Sequence, residues 1–146
     1  MTPPESAVLT GQCHCGAVQA EFHLGRSAAA IPVRACQCGF CRRHGAATAS
    51  DPAGRVTIKS ARPLIRYRFG AKTIDMLICG ACGVYVAAIL EAEGETRATI
   101  NVAGLKMAPL FDATPVAVDY DQEDAASRHE RRLAGWTPAE IMEPSQ

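Results

Sequence analysis

Long apolar runs, aromatic side chains and net charge are what this sequence lacks. Its longest apolar run, residues 83–90, is far shorter than the roughly 20 residues that a helix needs to cross a bilayer, so no membrane span is expected. Residues 1–11 have neither a cationic start nor an apolar centre, which predicts no signal peptide and a cytoplasmic protein. With 5% aromatic residues and a formal net charge of +0, a nucleic-acid partner is disfavoured.

The composition is that of a folded chain with an unusual supply of thiols. Of the 146 residues, 48% are hydrophobic and 21% are charged, which argues against disorder and predicts a single domain over residues 1–146. Because aromatic residues are few, the core must be built mainly from aliphatic side chains. Metal ions or cross-links would add stability to such a core, and the seven cysteines could supply them.

Apolar and polar residues alternate with period two in several segments, which predicts a mainly β fold. The predicted strands are residues 17–24, 55–59, 64–69, 73–78 and 96–102. Two short peripheral helices are predicted at residues 124–133, capped by Asp124, and at residues 138–142, which follow a Thr137-Pro138 start signal. The acidic stretch 119–124 and the basic stretch 128–132 are interpreted as a solvated face.

The cysteines fall in three groups whose internal spacing is typical of metal ligands. They are Cys13 with Cys15, then Cys36, Cys38 and Cys41, then Cys79 with Cys82. If residues 13–15 are a strand, the two sulfurs point to one face and His14 points away. Small residues between Cys79 and Cys82 let the backbone curl into a knuckle. Disulfides are disfavoured by the odd count and the missing secretion signal.

Two partitions of these cysteines are compatible with spacing alone. In the preferred one, Cys13, Cys15, Cys79 and Cys82 close a four-thiolate structural zinc site. This leaves Cys36, Cys38 and Cys41 as a three-ligand site with an open position, which is the pattern of a reactive zinc, although His44 is a candidate fourth ligand. In the other partition, Cys38 and Cys41 pair with Cys79 and Cys82.

Arginines near the three-cysteine group suggest an anionic ligand. A zinc ion with three thiolates carries a charge of about minus one, and Arg42 and Arg43 follow the last thiol directly. We predict that these two side chains grip the carboxylates of a small thiol. Arg62, Arg66 and Arg68 share one face of a predicted strand, where solvation is at least as good an interpretation as binding.

Three cysteine-containing segments together resemble the glutathione-dependent formaldehyde-activating enzyme family, which shares its domain with centromere protein V. The segments are Gly11-Gln12-Cys13-His14-Cys15-Gly16-Ala17-Val18, Cys36-Gln37-Cys38-Gly39-Phe40-Cys41-Arg42-Arg43 and Cys79-Gly80-Ala81-Cys82-Gly83. The resemblance covers a core of about residues 10–103 and leaves residues 104–146 as a C-terminal extension. It implies a small β-rich fold of the Mss4-like type with two zinc ions. Partial occupancy of the second zinc site is compatible with this expectation.

The family resemblance favours the preferred partition and implies a chemistry. It implies a structural zinc on Cys13, Cys15, Cys79 and Cys82, and a second zinc on Cys36, Cys38 and Cys41. The associated reaction is the addition of glutathione to formaldehyde, classed in reverse as a carbon–sulfur lyase. We therefore expect a small thiol such as glutathione and an aldehyde as partners. A non-catalytic zinc module that binds a protein is the alternative, followed by a zinc store or redox sensor.

Overall fold

Strands dominate the fold, as the alternation of apolar and polar residues predicts. The computed structural model describes residues 7–111 and 113–145. Within them the elements are β1 (Val8–Gln12), β2 (Val18–His23), β3 (Arg34–Cys36), α1 (Gly39–His44), β4 (Thr48–Ala49), β5 (Arg55–Ser60), β6 (Ile65–Tyr67), β7 (Asp75–Ile78), β8 (Tyr85–Ala92), β9 (Glu95–Asn101), β10 (Val116–Val118), α2 (Ala125–Gly135) and β11 (Thr137–Met142). The mainly β class with short helices is confirmed, and every one of the five predicted strands is present.

Strand β9 is the point where the sheet branches. On one side it pairs with β8 along its length, and β7 and β6 follow beyond β8. Its other side is shared: residues 97–98 pair with β11, and residues 100–101 pair with β4. Strand β11 continues onto β5 in parallel, and β2 and β1 complete that side. The strand order along this path is β1-β2-β5-β11-β9-β4-β3-β10.

The central strand β8 separates two hydrophobic cores. Ala87 and Ile89 belong to the larger core, whereas Ala88 and Leu90 belong to a smaller one. Because side chains alternate along a strand, these pairs lie on opposite faces of β8. A strand covered on both faces is apolar throughout, so the sequence contains a continuous run here and no alternation.

The predicted helix over residues 138–142 is wrong. These residues form β11, where Pro138 faces Arg97 of β9 and the last four residues pair with β5. The local start signal at Thr137-Pro138 is overridden by pairing with strands far away in the sequence. The other predicted helix is confirmed as α2, in which the Oδ1 atom of Asp124 accepts a hydrogen bond from the Ser127 amide at 2.7 Å. No helix in the described residues is long and apolar enough to cross a membrane.

Candidate metal centres and the adjoining cavity

The structure gathers the seven cysteines into one group of four and one group of three. Cys13, Cys15, Cys79 and Cys82 form the first group, and Cys36, Cys38 and Cys41 form the second, with all sulfurs of a group within 4.8 Å of one another. This is the 4+3 grouping preferred from the sequence. The alternative, in which Cys38 and Cys41 join Cys79 and Cys82, is not the arrangement found.

The sulfur spacing in the four-cysteine group suits a tetrahedral metal ion. The Sγ atoms of Cys13 and Cys15 are 3.8 Å apart, and those of Cys15 and Cys79 are 3.7 Å apart. A tetrahedron with Zn–S bonds of about 2.3 Å has sulfurs separated by about 3.8 Å. The group could therefore hold a metal ion such as zinc without rearrangement.

Two tight turns build this group. Cys13 and Cys15 lie in the turn between β1 and β2, and Cys79 and Cys82 lie in the turn between β7 and β8. Residues 13–15 are not the strand considered as one way to converge the sulfurs: the Gly16 amide donates to the Cys13 carbonyl at 3.1 Å, and this reversal of the chain brings the two sulfurs together. Gly16 and Gly83 follow the last cysteine of each turn with φ values of 83° and 80°, a region that favours glycine.

Backbone amides in both turns donate to the sulfurs. The amide of Val18 donates to the Cys13 Sγ at 3.3 Å, and the amides of Ala81 and Cys82 donate to the Cys79 Sγ at 3.4 Å each. Such N–H donors stabilise a thiolate relative to a thiol. The turns are thus arranged for charged sulfur, which is the form that binds metal.

The three-cysteine group lies on the other side of β8 and is built by a strand, a cap and a helix. Cys36 ends β3, Cys38 is the N-cap of α1, and Cys41 is inside α1. The Cys38 sulfur accepts the Cys41 amide at 3.3 Å, in the way that a serine or aspartate caps a helix. The three sulfurs therefore converge from three different kinds of local structure.

Neighbouring sulfurs perturb one another strongly in both groups. The hydrogen bond from Cys41 lowers the pKa of the Cys36 thiol to about 6, and the same contact raises the pKa of Cys41. In the other group, burial acts to raise the pKa of Cys82, but backbone hydrogen bonds outweigh it and lower the pKa to about 6. Several thiolates at this spacing repel one another, so a bound cation would relieve the repulsion.

Neither nearby histidine joins a group. His14 is exposed in the β1–β2 turn. His44 ends α1 and packs its ring on those of Phe40 and Tyr85, with centroid separations of 4.5 Å and 5.7 Å. Within residues 7–111 and 113–145, the three-cysteine group therefore has no fourth protein ligand from histidine, cysteine or carboxylate.

A cavity of about 270 Å³ opens beside the three-cysteine group. Its apolar walls include Phe69, Ile74, Met76 and Trp136, while Thr48 and Thr99 contribute hydroxyl groups. The buried Tyr85 also lines it, and burial together with the neighbouring thiolates raises the pKa of its phenol well above the usual range. The three cysteines therefore line a cavity that a small molecule can enter.

Arg42 and Arg43, predicted to bind carboxylates beside these sulfurs, do not line this cavity. Both are exposed on α1 and border a separate depression with Gly39, and the Arg43 guanidinium donates to the Gly39 carbonyl of its own helix at 2.9 Å. Since successive helix residues are rotated by about 100°, a helix that turns Cys41 inward turns the next two residues away.

The strand arginines have a structural role. Arg66 donates to Asp75 at 3.2 Å and to Glu143 at 2.8 Å, and Arg68 also donates to Asp75. Arg62 is exposed at the turn after β5. These contacts join β6, β7 and the chain after β11 away from the cavity.

The cations that do line the cavity were missed as functional residues. They are Arg34 of β3 and three arginines of α2, namely Arg128, Arg131 and Arg132. The basic stretch 128–132 was interpreted as a solvated face, but spacings of three and four residues place these side chains on one side of a helix. That spacing was the available signal in the sequence. Only the position of α2 beside the cavity shows that these arginines and the three cysteines line the same space.

Comparisons with known proteins agree with the fold and identify a family. A family model for "Glutathione-dependent formaldehyde-activating enzyme" matches residues 8–120, which include all seven cysteines but stop before α2 and β11. A protein from Rhodobacter sphaeroides with a known crystal structure is 32% identical at a TM-score of 0.55, covering 75% of this chain and 100% of that one. No curated protein matches the chain.

Proposed function

The chain belongs to the glutathione-dependent formaldehyde-activating enzyme family, and from this premise we propose that it is a zinc-dependent carbon–sulfur lyase that makes and breaks the adduct of a small thiol with an aldehyde. In the forward direction the thiol sulfur attacks the carbonyl carbon, and an S–C bond forms. The carbonyl π electrons move to oxygen, which takes up the proton that the thiol gave up. The product is a hydroxyalkyl thioether, S-hydroxymethylglutathione if glutathione and formaldehyde react.

The observation that carries this proposal is the open three-cysteine group on the wall of a cavity. A structural zinc site is closed by four protein ligands, whereas a catalytic site leaves a position for substrate. Cys36, Cys38 and Cys41 match the second pattern, and Cys13, Cys15, Cys79 and Cys82 match the first. We therefore assign the four-cysteine group to stability and the three-cysteine group to chemistry.

The chain's own residues give the reaction its setting. Cys36, Cys38 and Cys41 would hold the metal, which when bound would lower the pKa of a substrate thiol or polarise an aldehyde oxygen. Met76 and Phe69 give the cavity beside the sulfurs an apolar wall. Thr48 and Tyr85 are among the residues that line the same space, and their uncharged hydroxyl groups would orient a carbonyl or hydroxymethyl oxygen.

Exchange spectroscopy by NMR tests this proposal, because adduct formation also occurs without an enzyme. With ¹³C-formaldehyde and glutathione at equilibrium, zinc-loaded protein is expected to accelerate exchange between free and adduct carbon. Cys38→Ser is expected to abolish the acceleration, whereas Arg55→Gln, an exposed change on β5, leaves it intact. Exchange at the uncatalysed rate with fully zinc-loaded wild-type protein would overturn the proposal.

An exposed aromatic patch favours the alternative, a zinc module that binds a protein. Tyr67 and Phe69 are 47% and 37% exposed, and both stack on Phe40 with centroid separations of 5.7 Å and 5.5 Å. Stacked, exposed aromatics are typical of protein contact sites. In that case the metal content and the cobalt absorption spectrum of the protein would not respond to any small thiol.

A further inference from the structure

We infer that Arg34 and Arg132 form a carboxylate subsite in the cavity, so that the enzyme selects thiols which carry an acid group. The inference rests on the proposed function, since it takes the sulfur of the same molecule to be directed at the three-cysteine group. It assigns specificity to residues outside the cysteine segments, and one of them, Arg132, lies beyond the residues 8–120 that match the family.

Two of the four arginines in the cavity are already engaged by the protein. The Arg131 guanidinium binds both carboxylate oxygens of Glu123, at 2.8 Å and 2.9 Å, and lies 3.6 Å from the centre of the Tyr120 ring. Arg128 donates to the backbone carbonyls of Tyr120 and Glu123, at 3.2 Å each. Their hydrogen bonds hold the start of α2 in place, so they have little left to offer a ligand.

Arg132 differs because its charge is not neutralised within the described residues. Its only hydrogen bond there is from Nη1 to the Thr73 hydroxyl at 3.1 Å, and its buried Nε has no acceptor. Burial and the charges of Arg131 and Arg128 lower its pKa to about 10. A buried N–H without an acceptor is costly, so an oxyanion that enters the cavity would gain a hydrogen bond already prepared for it.

Arg34 is the second cavity cation without an ion-pair partner among the described residues. It lies on β3, two residues before Cys36, and lines the same cavity as Arg132. Within residues 7–111 and 113–145, no carboxylate lies within 4.0 Å of either guanidinium. Asp121 and the three cysteines line the same cavity without forming an ion pair to either guanidinium, so both cations keep donors free for a bound anion.

The chemistry of the walls identifies the anion as a carboxylate on a small thiol. A guanidinium is a planar fork that matches the two oxygens of a carboxylate. A cavity of about 270 Å³ has room for a small thiol that reaches from the three-cysteine group to the arginines. A larger thiol such as a short peptide would place one of its carboxylates in this subsite.

Calorimetry with a matched pair of thiols on zinc-loaded protein tests the inference. Mercaptoacetate and mercaptoethanol have the same carbon count, and one ends in a carboxylate where the other ends in a hydroxyl. Arg34→Gln and Arg132→Gln are each expected to weaken mercaptoacetate at least about tenfold, which is about 1.4 kcal/mol. Both substitutions should change the affinity for mercaptoethanol less than about twofold. Arg132→Lys should recover only part of the lost mercaptoacetate affinity, because an ammonium group lacks the planar fork of a guanidinium.

Arg55→Gln is the control for loss of a surface arginine, and Arg42→Gln and Arg43→Gln test the position that the sequence suggested. Equal weakening of both thiols, no weakening of mercaptoacetate, or an equal loss in Arg42→Gln and Arg43→Gln would overturn the inference. So would reduced zinc affinity without discrimination between thiols, since the arginines would then merely balance the thiolates. If Arg132→Gln does not fold, Arg34→Gln decides.

Cobalt absorption separates this inference from the proposed function. Cobalt in the three-cysteine group reports whether a thiol sulfur enters the metal's coordination sphere. Arginine-dependent binding of mercaptoacetate with an unchanged cobalt spectrum would support the subsite and remove the proposed chemistry. A spectral change with both thiols that none of the arginine substitutions affects would support the chemistry and remove the subsite.

Discussion

The four-cysteine group should stabilise the fold by joining distant parts of the sheet, and Cys79→Ser tests this. The group joins the β1–β2 turn to the β7–β8 turn, whereas β5, β11 and β9 lie between β2 and β8 in the sheet. No strand pairing connects the two turns directly in the described chain. Removing one ligand therefore breaks a link between the two turns that the hydrogen bonds of the sheet do not replace.

The expected loss can be worked out from the separation of the ligands. Cys15 and Cys79 are 64 residues apart. A cross-link that closes a loop of this size stabilises a protein by about 4 kcal/mol in the chain-entropy model. With an unfolding entropy of about 0.3 kcal/mol/K for a chain of this length, Tm should fall by roughly 10–15 °C. This fall in Tm is a lower bound, because structural zinc contributes of order 10 kcal/mol to the folding of small zinc peptides.

Thermal unfolding followed by circular dichroism, together with zinc content, measures the effect. Cys38→Ser is the matched control, because Cys36, Cys38 and Cys41 lie within six residues and close no long-range connection. If Cys79→Ser is insoluble, chelator titration of the Cys38→Ser protein measures the same contribution with only the four-cysteine group present. A Tm of Cys79→Ser within about 2 °C of wild type, or an equal fall for Cys38→Ser, would refute the division into structural and reactive groups.

Three further predictions concern the support of these sites. Gly83→Ala should lower the free energy of unfolding by about 1–2 kcal/mol because φ is 80° there. Its control, Gly135→Ala in the last turn of α2, has nothing within 4 Å of the added Cβ and should not destabilise the protein. Equal Tm values for the two variants would contradict this. Thr137→Val should cost about 1–3 kcal/mol in urea unfolding, since the Asp51 amide loses its bond to the Thr137 hydroxyl at 2.8 Å; an unchanged midpoint would contradict it. Burial opposes ionisation of Asp75, but Arg68 and Arg66 outweigh burial and lower the pKa of its carboxyl. The stability that the ionised carboxylate contributes is therefore present above the unfolded pKa of about 3.9 and is lost as pH falls through the folded pKa. Asp75→Asn should therefore lower Tm at neutral pH and flatten the Tm profile below about pH 4, and an equally steep acid decline would argue against it.

The features that the sequence predicted well are those encoded by neighbouring residues. A strand with one buried face must alternate, so β2, β5 and β9 are visible in the pattern. A helix cap acts within three residues, so Asp124 predicts the start of α2. Short spacing also revealed the clusters of cysteines, but the choice between the two partitions depended on the open-site argument and on the family resemblance.

The features that sequence reasoning missed depend on distant partners. Strand β8 is apolar on both faces because a core lies on each side, and such a run has no period to detect. Strand β11 begins with a helix signal and is a strand only because β5 and β9 leave a gap for it. Cys38 caps α1 with a sulfur, which the usual preference for oxygen at that position does not anticipate.

The position of the arginines shows the same limit at the cavity. Arg42 and Arg43 are adjacent to a ligand in sequence, yet the rotation of α1 that turns Cys41 inward directs them outward. Arg132 is 91 residues beyond Cys41 and reaches the same cavity, because Trp136 is buried in the small core and the start of β11 pairs with β9. Sequence proximity to a metal ligand therefore identified the wrong cations, and the strand that anchors the end of α2 determines which arginines face the sulfurs.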